Sequence, residues 1–126
     1  MIVLGIDPGS KVTGYGLVEK KDNEMTCIHS GHIAPSGRIP FYNRIHFIFQ
    51  ATVEILERYR PREMAIEDLF YAKNVKSSLK LGHARGAVLI AAVQCNLHVI
   101  DERPVDRPQV DQIDLSIGNS KLRVVS

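Results

Sequence analysis

At 126 residues the chain is long enough for one domain with a buried core and too short for two. Its 44% hydrophobic and 24% charged content is that of an ordinary globular protein, which excludes a disordered or fibrous chain, and no apolar run approaches the ~20 residues of a membrane-spanning helix. A net charge of +2 is too small to announce a nucleic-acid ligand by itself, and no signal peptide precedes Met1, so the expected location is cytoplasmic.

The first element is an apolar strand from Ile2 to Ile6 that runs into Asp7, Pro8, Gly9 and Ser10, an acid followed by turn formers and a hydroxyl. Side chains alternate along a strand, so Asp7 shares its face with Gly5 and Val3. Residues Thr13 to Lys20 alternate well enough for a second strand, with Gly14 and Gly16 permitting a close backbone approach or a bulge. After a turn at Lys20 to Asn23, Met25 to Ile33 completes an antiparallel meander. Residues 35–40 form a loop. Phe41, Ile45, Ile48, Phe49, Thr52, Ile55, Leu56 and Tyr59 recur at helical spacing, predicting a helix from 41 to about 59 that Arg60 and Pro61 close. Its aromatic residues are expected in the core rather than as stacking platforms.

Met64 to Leu69 reads as a strand reached by a right-handed crossover and parallel to the first, with Glu67 on the face of Ala65 and Leu69. Ser77 is the expected N-cap of a second helix running to about Gln94. Within it Gly82 and Gly86 lie one turn apart, each costing ~1 kcal/mol relative to alanine. A closely approaching surface would account for them, either another helix of the domain or a partner subunit. Leu97 to Glu102 forms a last strand, and residues 103–126 show no clear helical pattern.

Asp7 and Glu67 thus end two strands expected to be neighbours, at the carboxyl edge where open α/β sheets bind ligands. Paired carboxylates repel unless a cation lies between them, and Mg²⁺ suits an oxygen site of this kind. Two such ions about 4 Å apart align a water against a phosphodiester. The plainer reading of Asp7 is a turn residue before Pro8 and Gly9. For Glu67 that alternative is weaker, because an unpaired buried carboxylate is costly. From Tyr71 to Ile100 there is no acid, while Lys73, Lys76, Lys80 and Arg85 cluster in the first half of the stretch. Such a wall offsets the repulsion between the acids and a polyanion, although a merely solvated helix face has the same composition. Cys27 and Cys95 have no partner motif and are expected as buried thiols. The five histidines show no metal-ligand spacing.

Gly5 to Ser10, Thr13 to Gly16, Ala65 to Glu67, Phe70, Ala72 to Asn74, Ser78 to Gly82 and Ala84 to Gly86 together, in order and register, resemble the RuvC family of Holliday-junction resolvases. The resemblance runs from Met1 to about Glu102. It implies an RNase H-like α/β fold, in which a three-strand antiparallel meander and parallel strands form a mixed sheet with flanking helices. It also implies a homodimer that nicks two strands symmetrically at a four-way DNA junction with two Mg²⁺ ions per site, Mn²⁺ being able to substitute, in partnership with the RuvA–RuvB branch-migration complex. By it Asp7 and Glu67 are the first two of four metal-binding acids. Phe70 stacks on an unpaired base, core packing being the plainer reading, and Lys73, Asn74, Lys76, Lys80 and Arg85 contact DNA.

Residues 1–102 are then the nuclease core and 103–126 a divergent tail without the family's final acidic helix. Asp111 and Asp114 have one-turn spacing, but the segment follows the last strand too soon and Leu115 to Ser120 is a poor helix. A truncated or altered chain is the more economical reading, and two acids seldom hold two catalytic ions. Three functions remain open: a junction-resolving endonuclease, a junction-binding remnant that does not cut, and a short RNase H-like nuclease acting on RNA. The signature from Phe70 to Arg85 argues against the last.

Overall fold

The computed structural model describes residues 1–67, 74–102, 112–117 and 120–125, with side chains through residue 100 apart from Glu67. A mixed five-stranded sheet has the order β3-β2-β1-β4-β5. Its antiparallel half is β1 (Ile2–Asp7), β2 (Thr13–Lys21) and β3 (Glu24–Ile33). The hairpin between β2 and β3 turns on Asp22 and Asn23, both at positive φ, which are the residue types that tolerate this backbone and match the twist of the flanking strands. The irregularity anticipated at Gly14 or Gly16 falls instead between Leu17 and Val18, opposite Ile28.

From β3 the chain enters α1 (Phe41–Tyr59), which ends as Arg60 turns left-handed, its N–H donating to the Leu56 carbonyl before Pro61. Strand β4 (Glu63–Glu67) then pairs parallel to β1, as the crossover predicts. Helix α2 (Val75–Gln94) follows, and β5 (His98–Glu102) pairs parallel to β4. The expected N-cap at Ser77 is corrected to Asn74. Its extended backbone and short amide side chain let Oδ1 accept from the Ser77 N–H at 2.8 Å, so Ser77 is the third residue of the helix rather than its cap. At the other end Asn96 adopts positive φ, and the N–H groups of Asn96 and Leu97 donate back to Val93 and Ala92 carbonyls, closing a Schellman motif.

Both helices pack on one face of the sheet. Leu4, Ile6, Leu17, Ile33, Met64 and Ile66 meet Ile48 and Leu56 of α1 and Ala84, Val88 and Ala91 of α2 in one core. Burying that set supplies the main driving force for folding. Val3, Val18, Ala65 and Ile100 are also buried, yet they lie on the opposite face, outside that core. The tail accounts for this. Residues Gln112–Ile117 and Ser120–Val125 form an antiparallel hairpin, β6 and β7, in which β7 lies against β1 and β4 and β6 against β2.

Cys27 is exposed, correcting the expectation of a buried thiol: it lies in an exposed stretch of the edge strand β3. Cys95 is half-buried, and burial together with the Glu57 carboxylate raises its thiol pKa. A Cβ added at Gly82 or Gly86 would meet nothing within 4 Å, so no other helix of the domain approaches them among the described residues. Among those residues, no helix is long and apolar enough to cross a membrane.

Candidate active site and nucleic-acid interface

Asp7 closes β1 at the carboxyl edge of the sheet. In the parallel register Gly5 faces Ala65 and Ile6 faces Ile66, so the next step brings position 67 beside Asp7 on the same face. On the other side Asp7 faces Gly14, and Gly5 faces Gly16. Three glycines and an alanine thus neighbour Asp7 on its face; all four are buried there, and Asp7 itself is half-buried. Across β5, position 67 is in register with Glu102. A carboxylate oxygen donor at the carboxyl edge of the sheet fits a hard divalent cation. Among the described residues, the register thus brings the positions of Asp7 and Glu67 together. The Glu67 carboxylate, Phe70 and Lys73 lie outside those descriptions.

The turn after Asp7 is fixed by two residues that the sequence reading assigned no role. Buried Thr13 accepts from the Gly9 N–H at 3.2 Å, and its hydroxyl donates to the Gly9 carbonyl at 3.0 Å. A side chain at Gly9 would collide with the Val12 carbonyl, so the turn requires glycine there. Next to it, Arg44 Nη2 on α1 donates to the Ser10 carbonyl. A threonine soon after a glycine turn is a recognisable closing residue. The Arg44 contact spans 34 positions and leaves no local signal.

Of the expected basic residues, Lys76 is exposed at the start of α2 and Arg85 is half-buried further along it. Lys80 leans onto Phe41 of α1, its Nζ 5.8 Å from the ring centroid. Asn74 is present, but its amide oxygen is engaged in capping α2. On the other face of the sheet, Tyr15 shares a 3.1 Å hydrogen bond with His29, which stacks on Tyr59. Burial and Tyr59 raise the Tyr15 phenol pKa while Arg58 acts to lower it, so the group remains a protonated donor at neutral pH.

The family model for crossover junction endodeoxyribonuclease RuvC matches residues 3–119. The chain is 41% identical over 121 residues to the crossover junction endodeoxyribonuclease RuvC of Geobacter metallireducens, covering 96% of this chain and 72% of that protein. It is 48% identical over 99 residues to the protein of the same name from Citrifermentans bemidjiense, covering 79% of this chain and 60% of that one. Among solved structures, T. thermophilus RuvC in complex with a Holliday junction substrate superposes with a TM-score of 0.75 at 32% identity, over 82% of this chain and 65% of that one.

Proposed function

This chain belongs to the crossover junction endodeoxyribonuclease RuvC family, and from that premise we propose that it binds four-way DNA junctions and nicks two strands symmetrically in recombination and repair. The observation that carries the proposal is the β1–β4 register, which brings the positions of two acids side by side at the carboxyl end of the sheet. Asp7 and Glu67 would hold Mg²⁺. The ion supplies Lewis acidity and an activated water for phosphodiester hydrolysis. The protein's own contribution is placement: Thr13 and Arg44 fix the turn behind Asp7.

Phe70, just past β4, is assigned to stacking on an unpaired base, and Lys73, Asn74, Lys76, Lys80 and Arg85 to the DNA backbone. Asn74 would contribute its amide nitrogen, since its oxygen serves the helix. The homodimer is assigned to α2. Val75, Leu79, Ile90 and Val93 are 77%, 59%, 62% and 70% exposed, and with Gly82 and Gly86 they recur every three or four residues, an apolar stripe on which a second helix could lie closely. Partnership with the RuvA–RuvB complex rests on the resemblance, and no surface is assigned to it.

The experiment is Mg²⁺-dependent cleavage of a synthetic four-way junction beside equilibrium binding in EDTA. Wild type is expected to bind the junction over duplex of the same sequence and to give symmetric nicks. Asp7→Asn should bind and not cut. Equal affinity for duplex and junction would overturn the junction reading, and cleavage unaltered in Asp7→Asn would overturn the site.

A further inference from the structure

Phe41, at the first turn of α1, gathers groups from both helices. Arg44 Cζ and Lys80 Nζ each lie 5.8 Å from its ring centroid, and the His83 ring meets it edge-on at 5.8 Å between centroids. His83 is itself held by donating from Nδ1 to the Leu79 carbonyl at 2.6 Å, so it braces the aromatic ring. The ring's quadrupole attracts each cation, but it does not remove the repulsion between two positive charges brought to one ring. Among the described residues neither Arg44 nor Lys80 has a carboxylate partner, and no acid lies in the first turn of either helix. Arg44 in addition has its Nε buried without a hydrogen-bond partner, while Nη2 is committed to the Ser10 carbonyl. Two cations without a carboxylate partner among the described residues are therefore held on one ring, and one is bonded directly to the turn that follows Asp7.

We propose that Arg44 and Lys80, held on Phe41, form a phosphate-binding subsite for the phosphodiester next along the strand from the one at Asp7. The inference rests on the nucleic-acid reading of the Asp7 face. It adds Arg44, a residue outside the basic run of α2, and gives Phe41 a role as the platform that positions both cations. An anionic oxygen beside them relieves their mutual repulsion and makes charge-assisted hydrogen bonds. Because Arg44 is tied to Ser10, a phosphate held there is in fixed register with the Asp7 turn.

The test is binding of a synthetic four-way junction and of a short single-stranded oligonucleotide, in EDTA and over a range of salt, for wild type, Lys80→Gln, Arg44→Gln and Phe41→Leu. Each charge removal should weaken binding of both DNAs several-fold and reduce the slope of log affinity against log salt by about one unit. Phe41→Leu keeps both charges and much of the apolar volume, yet should also weaken binding, because its cations are no longer gathered; a solvated basic surface would not respond to it. Lys80→Gln, on the rim of α2, keeps the test open if Arg44→Gln disturbs folding. Wild-type binding matched by Lys80→Gln and Phe41→Leu would overturn the subsite and leave the junction reading intact. Variant-sensitive binding of single strands without preference for the junction would sustain the subsite and overturn the junction reading. Wild type binding neither DNA would overturn both.

Discussion

Thr13 has the most concentrated role of any single residue near the site. Its one hydroxyl serves both the N–H and the carbonyl of Gly9, and it is fully buried while doing so. Thr13→Val keeps the shape and removes both bonds, leaving two backbone groups without partners at a cost of about 1–3 kcal/mol. Chemical denaturation should show that loss, and junction cleavage should fall with junction affinity nearly unchanged, because the turn orients Asp7 and does not itself supply charge. Thr13→Ser should restore both. A valine variant that cuts at the wild-type rate would show that the turn holds its shape without the hydroxyl. At this scale the place of Asp7 at the end of β1 was legible in the sequence, because an apolar run that stops at an acid before Pro8 and Gly9 marks a strand running into a turn. Arg44 and Phe41 were not, since a charged and an aromatic residue on an amphipathic helix have many uses, and their contacts with Ser10 and Lys80 exist only once the chain is folded.

The elements follow local chemistry closely, and where they depart from it the reason is local as well. Helix α1 has the predicted limits because its apolar spacing and the Arg60–Pro61 stop agree. The start of α2 was displaced because serine and asparagine both cap helices well, and periodicity cannot say which of Asn74 and Ser77 is the cap and which the third residue. Asn74→Ala should remove the bond to the Ser77 N–H and cost about 1 kcal/mol, seen as a lower midpoint in thermal or denaturant unfolding. Asn74→Asp should keep the cap and gain from the helix dipole, but should weaken DNA binding by placing a negative charge beside Lys76. Equal stability of all three proteins would show that the first turn of α2 is held by packing alone. The β6–β7 hairpin had no such local signature. Its strands are short, and the reason for their place, an uncovered row of Val3, Val18, Ala65 and Ile100, is distributed over four other strands.

At the scale of the whole molecule, one sheet separates two surfaces: the helices make the core on one, and the other carries Asp7 at its carboxyl edge and the hairpin over its buried apolar row. This division decides what the tail can contribute. The spacing of Asp111 and Asp114 would present both acids together only on a helix; Asp114 instead lies in a strand, opposite Arg123 on β7, while Asp111 lies outside the described residues. A strand turns successive side chains to opposite faces, so the one-turn argument for a replacement acid pair loses its basis. A polypeptide of these 126 residues is therefore expected to bind a four-way junction and to cut it slowly with Mg²⁺. Mg²⁺ held by few carboxylates would meet its octahedral preference largely with water, and in-line attack would then lack the close positioning that sets its rate, whereas affinity depends chiefly on phosphate contacts. Single-turnover cleavage of a synthetic junction should show a low rate that Asp114→Asn leaves unchanged, alone or with Asp111→Asn, and that Asp7→Asn abolishes. Fast cutting lost in the tail variants would mean that Asp111 or Asp114 reaches the Asp7 edge after all, and that the hairpin rearranges around the metal and DNA.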